Sequence, residues 1–473
     1  MYDFIIIGSG IIGCMIAREL SKYDVKTLVL EKENDVVNGQ TIANSAIIHA
    51  GHDPKPGTLK AKLCVLGNQL YDQLEKELSI PLLRTGGFVA SFNEAEDIII
   101  DQLYDNALKN GVFNPSLLFT DELIKLEPNI NPSIRKALYL PSTKVTYPWE
   151  VAIHALEHAM QNGVELKKNS FVVKMIDHQH HFEVQLSSGY TLYAKHIINA
   201  AGVFSDDVAR LIDRDVPYRI LPKKGEYFVL DRHVKGLFNH VIYPVPNQEG
   251  KGVLITPQVH GNILLGPTAV KISDKEDLST TKSGLEKIKK DIQRLSNNIP
   301  YHLIIRNFAG IRASSSHEDF YIKASKEHPR FYHIAGIDSP GLTAAPAIAF
   351  YVVESLLPKD LPVKKDFKAY QTSAKLFHTL NPHEQQKAIS KYPRHGVIIC
   401  KCEKVTEQDI IQQINRPLGS DTIKGIKKRA RAGSGLCQGG YCESLVLKII
   451  SEITHQPLNS INYDQLHTEM LQQ

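Results

Sequence analysis

The N-terminal stretch Met1–Glu31, MYDFIIIGSGIIGCMIARELSKYDVKTLVLE, decides the fold. An apolar run, Phe4 to Ile7, meets Gly8, Gly10 and Gly13 in Gly-x-Gly-x-x-Gly spacing. The pattern that follows predicts a helix from Ile11 to Ser21 and a second apolar strand from Thr27 to Leu30, which makes one βαβ unit. The glycines have separate tasks. Gly8 permits the tight turn, Gly10 lets a pyrophosphate approach the backbone, and Gly13 lets the helix lie against the strand. The ligand's negative charge then meets the helix N-terminus, where free N–H groups and the macrodipole favour it. Glu31 follows the second strand, eighteen residues after Gly13. An acid there takes the hydroxyls of an adenosine ribose and repels a 2′-phosphate. A glycine-rich turn in an ordinary α/β core is the bland alternative, and the complete strand–helix–strand–acid order opposes it. Alone, the unit specifies a dinucleotide without a 2′-phosphate, NAD and FAD alike.

The chain of 473 residues has room for two or three domains. Hydrophobic content of 42% and charged content of 22% are ordinary for a globular protein, and a net charge of +4 is too small to argue for nucleic acid. No run of eighteen apolar residues exists, so no transmembrane segment is expected. The apolar N-terminus carries Asp3 and lacks a basic region, so it reads as part of the fold rather than a signal peptide. Six cysteines do not make a disulfide framework; four fall in the last quarter, which suggests a metal site in a reducing cytoplasm. Peripheral contact with the inner membrane face is left open.

Lys32 to Gly51 is rich in small and polar residues, and Thr41, Asn44 and Ser45 there have the chemistry to donate hydrogen bonds to phosphate or ring atoms. Pro56-Gly57 marks a turn into a helix ending near Leu78, and Cys14 and Cys64 in helical patterns read as buried small hydrophobes. Tyr147 to Asn162 predicts an amphipathic helix. The buried strand His196–Asn199 runs into Ala200, Ala201 and Gly202, a turn able to approach a cofactor. Strong alternation from Lys223 to Pro267 predicts an antiparallel sheet, a roof over a cofactor. Phe331 to Glu354 reads as strand, glycine turn and a helix starting near Leu342, whose N-terminus can stabilise negative charge on a ligand. Leu357 to Pro393 reads as a connector that wraps rather than packs a core.

Several blocks in order, NSAIIHAGHDPKPGTLKAKLCVLGN, INAAG, KGEYFVL, KGVLITP with NILLGPTA, FAGIRA and DSPGLTAAPAIA, resemble the glycerol-3-phosphate dehydrogenases and oxidases of the D-amino-acid-oxidase-like (DAO-like) flavin superfamily. The resemblance implies FAD, bound extended, with its pyrophosphate at Gly8 to Gly13 and its ribose at Glu31. Gln40 to Ser45 would flank the isoalloxazine, Ala201 and Gly202 would lie against the cofactor, and Gly341, Leu342 and Thr343 would present backbone N–H groups to the ring. The family's catalytic base falls on His49 and its substrate-phosphate groups on Lys251, Arg312 and Ser339. Ala46 departs from the glycine usual in the family's Ser-Gly-x-x-His stretch. Residue chemistry agrees with these roles: a secondary alcohol losing hydride needs a base of near-neutral pKa, and Arg and Lys suit a phosphate or carboxylate. His52, His260 and His317 read as ordinary surface histidines.

Near the C-terminus, Cys400 and Cys402 form Cys-x-Cys, and after 34 residues Cys437 and Cys442 form Cys-x-x-x-x-Cys. A helix beginning near Thr406, with Asp409 completing a capping box, follows the first pair, and Cys442 opens the last helix. Four thiolates hold either Zn²⁺ or a two-iron cluster. The segments ICKCEKVTEQDI and KRARAGSGLCQGGYC resemble the BFD-like (bacterioferritin-associated ferredoxin) [2Fe-2S] domain, which favours the cluster over zinc. Lys424, Lys427, Lys428, Arg429 and Arg431 read as a solvated face, as charge balance for the cluster, or as a dock for an acidic redox partner.

The expected architecture is therefore α/β. A Rossmann-type FAD-binding domain (about 1–80, 150–215 and 305–357) is interleaved with an antiparallel-sheet substrate domain (about 81–149 and 216–304). A connector (358–395) leads to a small helical [2Fe-2S] domain (396–473). The expected activity is FAD-dependent oxidation of sn-glycerol 3-phosphate, with electrons passing through the cluster to a redox partner protein or quinone-linked subunit. Oxidation of a 2-hydroxy acid or amino acid, or a non-catalytic electron-transfer role, are the alternatives.

Overall fold

The computed structural model describes residues 1–246, 250–370 and 375–471. Within the expected segments, 247–249 of the substrate domain, 371–374 of the connector and 472–473 of the C-terminal domain lie outside the described residues.

Strand β1 (Tyr2–Ile7), helix α1 (Ile11–Leu20) and strand β2 (Thr27–Leu30) form the expected βαβ unit. β1 lies parallel between β2 and the strand Thr191–Asn199, with Ile7 opposite Leu30 on one side and Asn199 on the other. All of β2 and the last four residues of β1 are buried, as a parallel strand covered on both faces requires. α1 crosses β1 backbone against backbone: a Cβ on Gly13 would lie 2.0 Å from the Gly8 carbonyl oxygen. Gly8 itself has φ of +106°, and a Cβ there would meet the Ala200 carbonyl oxygen at 2.6 Å.

These strands belong to an eight-stranded sheet in which Phe331–Ala335 runs parallel to the end of Thr191–Asn199. Helix α1, helix α2 (Leu59–Leu78) and the helices Pro148–Gln161 and Gly341–Ser355 share one core with it, built on Ile6, Ile16, Tyr71, Leu156 and Ile348. α2 crosses the Gly341–Ser355 helix at Gly67, where a Cβ would lie 2.0 Å from the Thr343 carbonyl oxygen.

The second sheet has nine strands. Its centre is the expected set Lys223–Leu230, Val241–Pro244, Leu254–Pro257 and Ile263–Gly266, extended by Gly87–Ser91, Lys136–Tyr139 and Ser116–Phe119. It is antiparallel except where Val241–Pro244 runs parallel to Gly87–Ser91. The strand Ile304–Arg312 pairs along Lys223–Leu230, so Arg312 is carried by this sheet.

Two departures concern the tail. The Pro148–Gln161 helix is buried without interruption from Val151 to Ala159, so it is not amphipathic as its sequence suggested. The C-terminal domain covers its outer face: Arg416 pairs with Glu157, and the Leu418 N–H donates to the same carboxylate at 3.2 Å. That domain has its own core of Val405, Ile410, Ile426, Val446 and Ile450. Thr406 and Asp409 form the expected capping box on the Glu407–Asn415 helix, and Cys442 is the N-cap of Glu443–Thr454. The connector contains one helix the sequence did not announce, Pro382–Lys391, none of whose residues is buried.

The Gly67 crossing generates a prediction. Gly67→Ala must push α2 from its neighbour, and overpacking of this kind costs about 1–3 kcal/mol. The thermal midpoint should fall by several degrees; an unchanged midpoint would contradict the crossing.

Candidate active site and cluster site

Where the two sheets meet, a cavity of about 1110 Å³ runs from Gly8 and Glu31 to His49, Lys251, Arg312 and Ser339. It exceeds an ordinary small-ligand pocket and suits an extended dinucleotide with substrate space beyond it. At one end α1 opens into it: Gly10 is the N-cap, it supplies no side-chain cap, and the first turn carries no acid. The Ile11 N–H is taken by Thr41 Oγ1 at 2.9 Å, leaving the other first-turn donors for an anion. Glu31 is held at the wall by the Ser9 N–H at 3.0 Å and the Ser9 hydroxyl at 2.5 Å, with the Glu33 N–H on its other oxygen at 3.0 Å. Ala201 and Gly202 line the same region. A cradle of crossing glycines, a free helix N-terminus and a terminal acid fit the FAD that the sequence implied.

The loop Gln40–Ser45 also lines the cavity, and its polar groups are engaged: Thr41 with the Ile11 N–H, Gln40 with the Ile337 carbonyl and Asn44 within the loop itself. Asn44 was expected to donate to the ligand; instead its Nδ2 donates to the Thr41 carbonyl at 2.8 Å and its Oδ1 accepts the Ala46 N–H at 2.8 Å. Ser45 Oγ lies 3.3 Å from Tyr227 Oη. Ala46 has φ of +63°, a left-handed conformation that accounts for glycine being usual there. The roof touches this loop directly, because a Cβ on Gly310 would meet the Ala43 carbonyl oxygen at 2.0 Å.

Two expectations at the Gly341–Ser355 helix need correction. The Gly341 N–H is engaged with the Asp338 carbonyl at 2.5 Å rather than offered to the cavity. Thr343 is fully buried and not part of the cavity wall. Its hydroxyl accepts the His49 N–H at 2.9 Å, so Thr343 fixes the loop that carries His49. Gly341 and Leu342 do line the cavity.

His49 lines the same cavity, with Nδ1 3.5 Å from Tyr243 Oη. Burial holds its pKa well below the usual value, reinforced by the Lys251 charge and His52. The imidazole is therefore neutral and able to accept a proton. Lys251 is 3.0 Å from Asp53. Arg312 donates to the Thr268 carbonyl at 3.2 and 3.3 Å, and Gly225 faces it so closely that a Cβ would lie 2.6 Å from Nη2. Sequence reasoning missed Gly225 and Gly310, although glycine inside a strand is a signal of close approach. It also missed Asp53, in a loop that no periodicity marks, and Tyr243, whose strand was expected but whose partner His49 is distant in the chain.

His52 is buried, not a surface histidine, and its ring packs on Tyr243 with centroids 5.9 Å apart. His260 packs tilted against Tyr147, ring centroids 4.7 Å apart; His317 is exposed as expected. Cys14 and Cys64 are buried, and burial pushes the Cys64 thiol up to about 12.

The four tail cysteines gather as two pairs: Cys400 in hydrogen-bonding contact with Cys442, and Cys402 Sγ 3.8 Å from Cys437 Sγ. Backbone N–H groups of Gly433 and Glu403 point at Cys400, and those of Gly439 and Tyr441 at Cys437. Among the described residues no three ligating side chains converge as a single-ion site. Two thiol pairs wrapped by N–H donors suit two irons better than one tetrahedral zinc.

The basic run before the second pair is mostly neither solvated nor free for a partner. Lys428 and Arg429 are buried against Asp35 at 2.8 and 2.7 Å, and Arg431 pairs with Glu403 at 3.0 Å. Lys424 pairs with Asp464. Burial and the Arg306 charge hold the Lys427 ammonium below its usual range.

His52 generates a pH prediction. Burial lowers its pKa from 6.5 to about 4, with Asp53 opposing and Lys251 assisting. Between those values the unfolded chain binds the proton and the native chain does not, so stability falls as pH drops through this window. The urea midpoint should be lower at pH 5 than at pH 7.5, and the difference should shrink in His52→Asn. An undiminished difference would contradict the assignment.

The FAD dependent oxidoreductase family, DAO, matches residues 3–355, and the BFD-like [2Fe-2S] binding domain matches residues 398–452. A glycerol 3-phosphate dehydrogenase of Caloramator mitchellensis is 39% identical over 98% of this chain and 97% of its own. A glycerol 3-phosphate oxidase of Mycoplasma genitalium is 33% identical over 77% of this chain and 96% of its own. Among solved structures, the dithionite-reduced L-alpha-glycerophosphate oxidase of Mycoplasma pneumoniae, with FAD bound, is 30% identical. It covers 79% of this chain and 99% of its own with a TM-score of 0.76. The glycine-built cavity, the α/β architecture and these matches agree: the chain belongs to the DAO family of FAD-dependent oxidoreductases and carries a C-terminal BFD-like [2Fe-2S] binding domain.

Proposed function

We propose that this oxidoreductase converts sn-glycerol 3-phosphate to dihydroxyacetone phosphate and passes the electrons through its [2Fe-2S] domain to a partner protein or quinone. The observation that carries the reading is that His49, Lys251 and Arg312 line the same cavity as the glycine turn and Glu31, with the Lys251 charge acting on His49. FAD, when bound, supplies the hydride acceptor, and a [2Fe-2S] cluster supplies a one-electron carrier. His49 Nδ1 is turned to Tyr243, which leaves Nε2 to take the substrate hydroxyl proton. Arg312 offers its fork and Lys251 its point charge to the phosphate, with Ser339 as a further donor. Asp53 restrains Lys251 until substrate arrives.

The same arrangement explains how a base held below its usual range can act. Burial and Lys251 both suppress protonation of His49. A dianionic phosphate bound at Lys251 cancels that cation's influence, so His49 becomes more basic as the substrate binds. In this proposal residues around 1–80, 150–215 and 305–357 serve the cofactor, and those around 81–149 and 216–304 the substrate.

Dehydrogenase is favoured over oxidase because the relative that matches across the tail is a dehydrogenase, whereas the oxidase match covers 77% of the chain. An enzyme discharging onto oxygen has no need of a cluster.

Anaerobic flavin bleaching tests the reading. Glycerol 3-phosphate should reduce the flavin far faster than glycerol, 2-hydroxyglutarate or amino acids. His49→Asn should slow bleaching by about 10²-fold or more while retaining FAD. Bleaching by glycerol at an equal rate would contradict the phosphate site, and faster bleaching by 2-hydroxyglutarate would move the substrate to the hydroxy acids.

A further inference from the structure

The loop that leaves β2 is held in place by the C-terminal domain, from nearly four hundred residues away in sequence. Arg429 donates two hydrogen bonds to Asp35, at 2.8 and 2.7 Å, and Lys428 reaches the same carboxylate at 2.8 Å. Lys428 Nζ also donates to the Val36 carbonyl at 2.9 Å and to Asn38 Oδ1 at 2.8 Å. Asp35, Lys428 and Arg429 are each at most 5% exposed. Asn34, one residue earlier, donates to the Asp464 carbonyl at 2.8 Å.

Between the clasped residues lies Val37, with φ of +66°. A β-branched residue in the left-handed region is strained, and such a conformation persists only where its surroundings over-determine it. Here the surroundings are the Lys428 bonds to Val36 and Asn38, one on each side. Val37, Asn38 and Gly39 line the FAD cavity. The C-terminal domain also forms part of that wall itself, through Lys424, Lys427, Arg431 and Gln438.

The clasp is tied to the cluster loop. The Ile423–Ala430 helix that carries Lys428 and Arg429 ends at Arg431, which is bonded to Glu403 beside Cys402. Two residues on, the Gly433 N–H points at Cys400.

We propose that the [2Fe-2S] domain completes the FAD-binding site: Asp35, clasped by Lys428 and Arg429, holds the strained 35–38 wall in its binding conformation, and Lys427 adds a cation to the wall that faces the anionic cofactor. FAD retention then depends on the C-terminal domain as well as on the N-terminal glycines, and this holds whatever the substrate is.

The test uses the full, cluster-loaded chain, freed of FAD and titrated with FAD by flavin fluorescence. Asp35→Asn should weaken FAD binding at least tenfold while the cluster's EPR signal is retained, because the clasp and not the cluster is broken. Lys427→Gln, at a partly exposed position outside the clasp, should weaken it three- to tenfold. FAD affinities of both variants within twofold of the wild type would overturn the proposal. Should Asp35→Asn fail to fold, Lys427→Gln decides alone: threefold or more supports it, and within twofold overturns it.

Discussion

The close contact of α1 with β1 is the constraint from which the cofactor site follows. A methyl group on Gly13 would sit 2.0 Å from the Gly8 oxygen, and one on Gly8 would strike the carbonyl of Ala200. Backbone therefore packs on backbone, and the first turn of α1 is delivered to the end of the sheet with N–H groups unspent. The same economy recurs at each join around the cavity. Gly67 brings the His49-supporting helix against α2, Gly310 seats the roof on the Ala43 carbonyl, and Gly225 makes room for Arg312. These contacts leave no room for a side chain at the joins around the cavity.

A second constraint joins the tail to this frame. Asp35 is buried with Lys428 and Arg429. Burial alone would raise its pKa, and the two cations override that and hold the carboxyl well below the ordinary range. Removing one partner of such a group typically costs about 3–5 kcal/mol, because the charge left behind has no water to solvate it. With Arg416 on Glu157 and Arg431 donating to the Tyr147 hydroxyl, the C-terminal domain is locked to the oxidoreductase body by buried polar contacts. The cysteine loop is thereby kept at the cavity, whose wall includes Ser434 and Gln438.

What was legible in the sequence was local. The βαβ unit appears with β2 at its expected bounds, and the Thr406–Asp409 capping box and the Cys442 helix start form as their spacing requires. Each of those patterns is complete within a few residues. The misread features depend on partners distant in the chain. The basic run around Lys428 looked like a solvated face because its counter-ion, Asp35, lies at the other end of the sequence. The Pro148–Gln161 helix looked amphipathic because the domain that covers its outer face comes some 250 residues later. His52 lies in a loop, where no periodicity distinguishes inside from outside. At Gly341 and Thr343 the N–H and hydroxyl partners depend on a turn closed by Asp338 and on a loop hundreds of residues earlier, at His49.

The central claim is that one chain joins substrate oxidation to one-electron export across a single cavity. Rapid anaerobic mixing of holoprotein with glycerol 3-phosphate, following the flavin absorbance and the cluster's EPR signal together, tests it most directly. The account predicts that cluster reduction follows flavin bleaching at a rate independent of protein concentration. A cluster that stays oxidised while the flavin bleaches, or one reduced at a rate proportional to protein concentration, would contradict it.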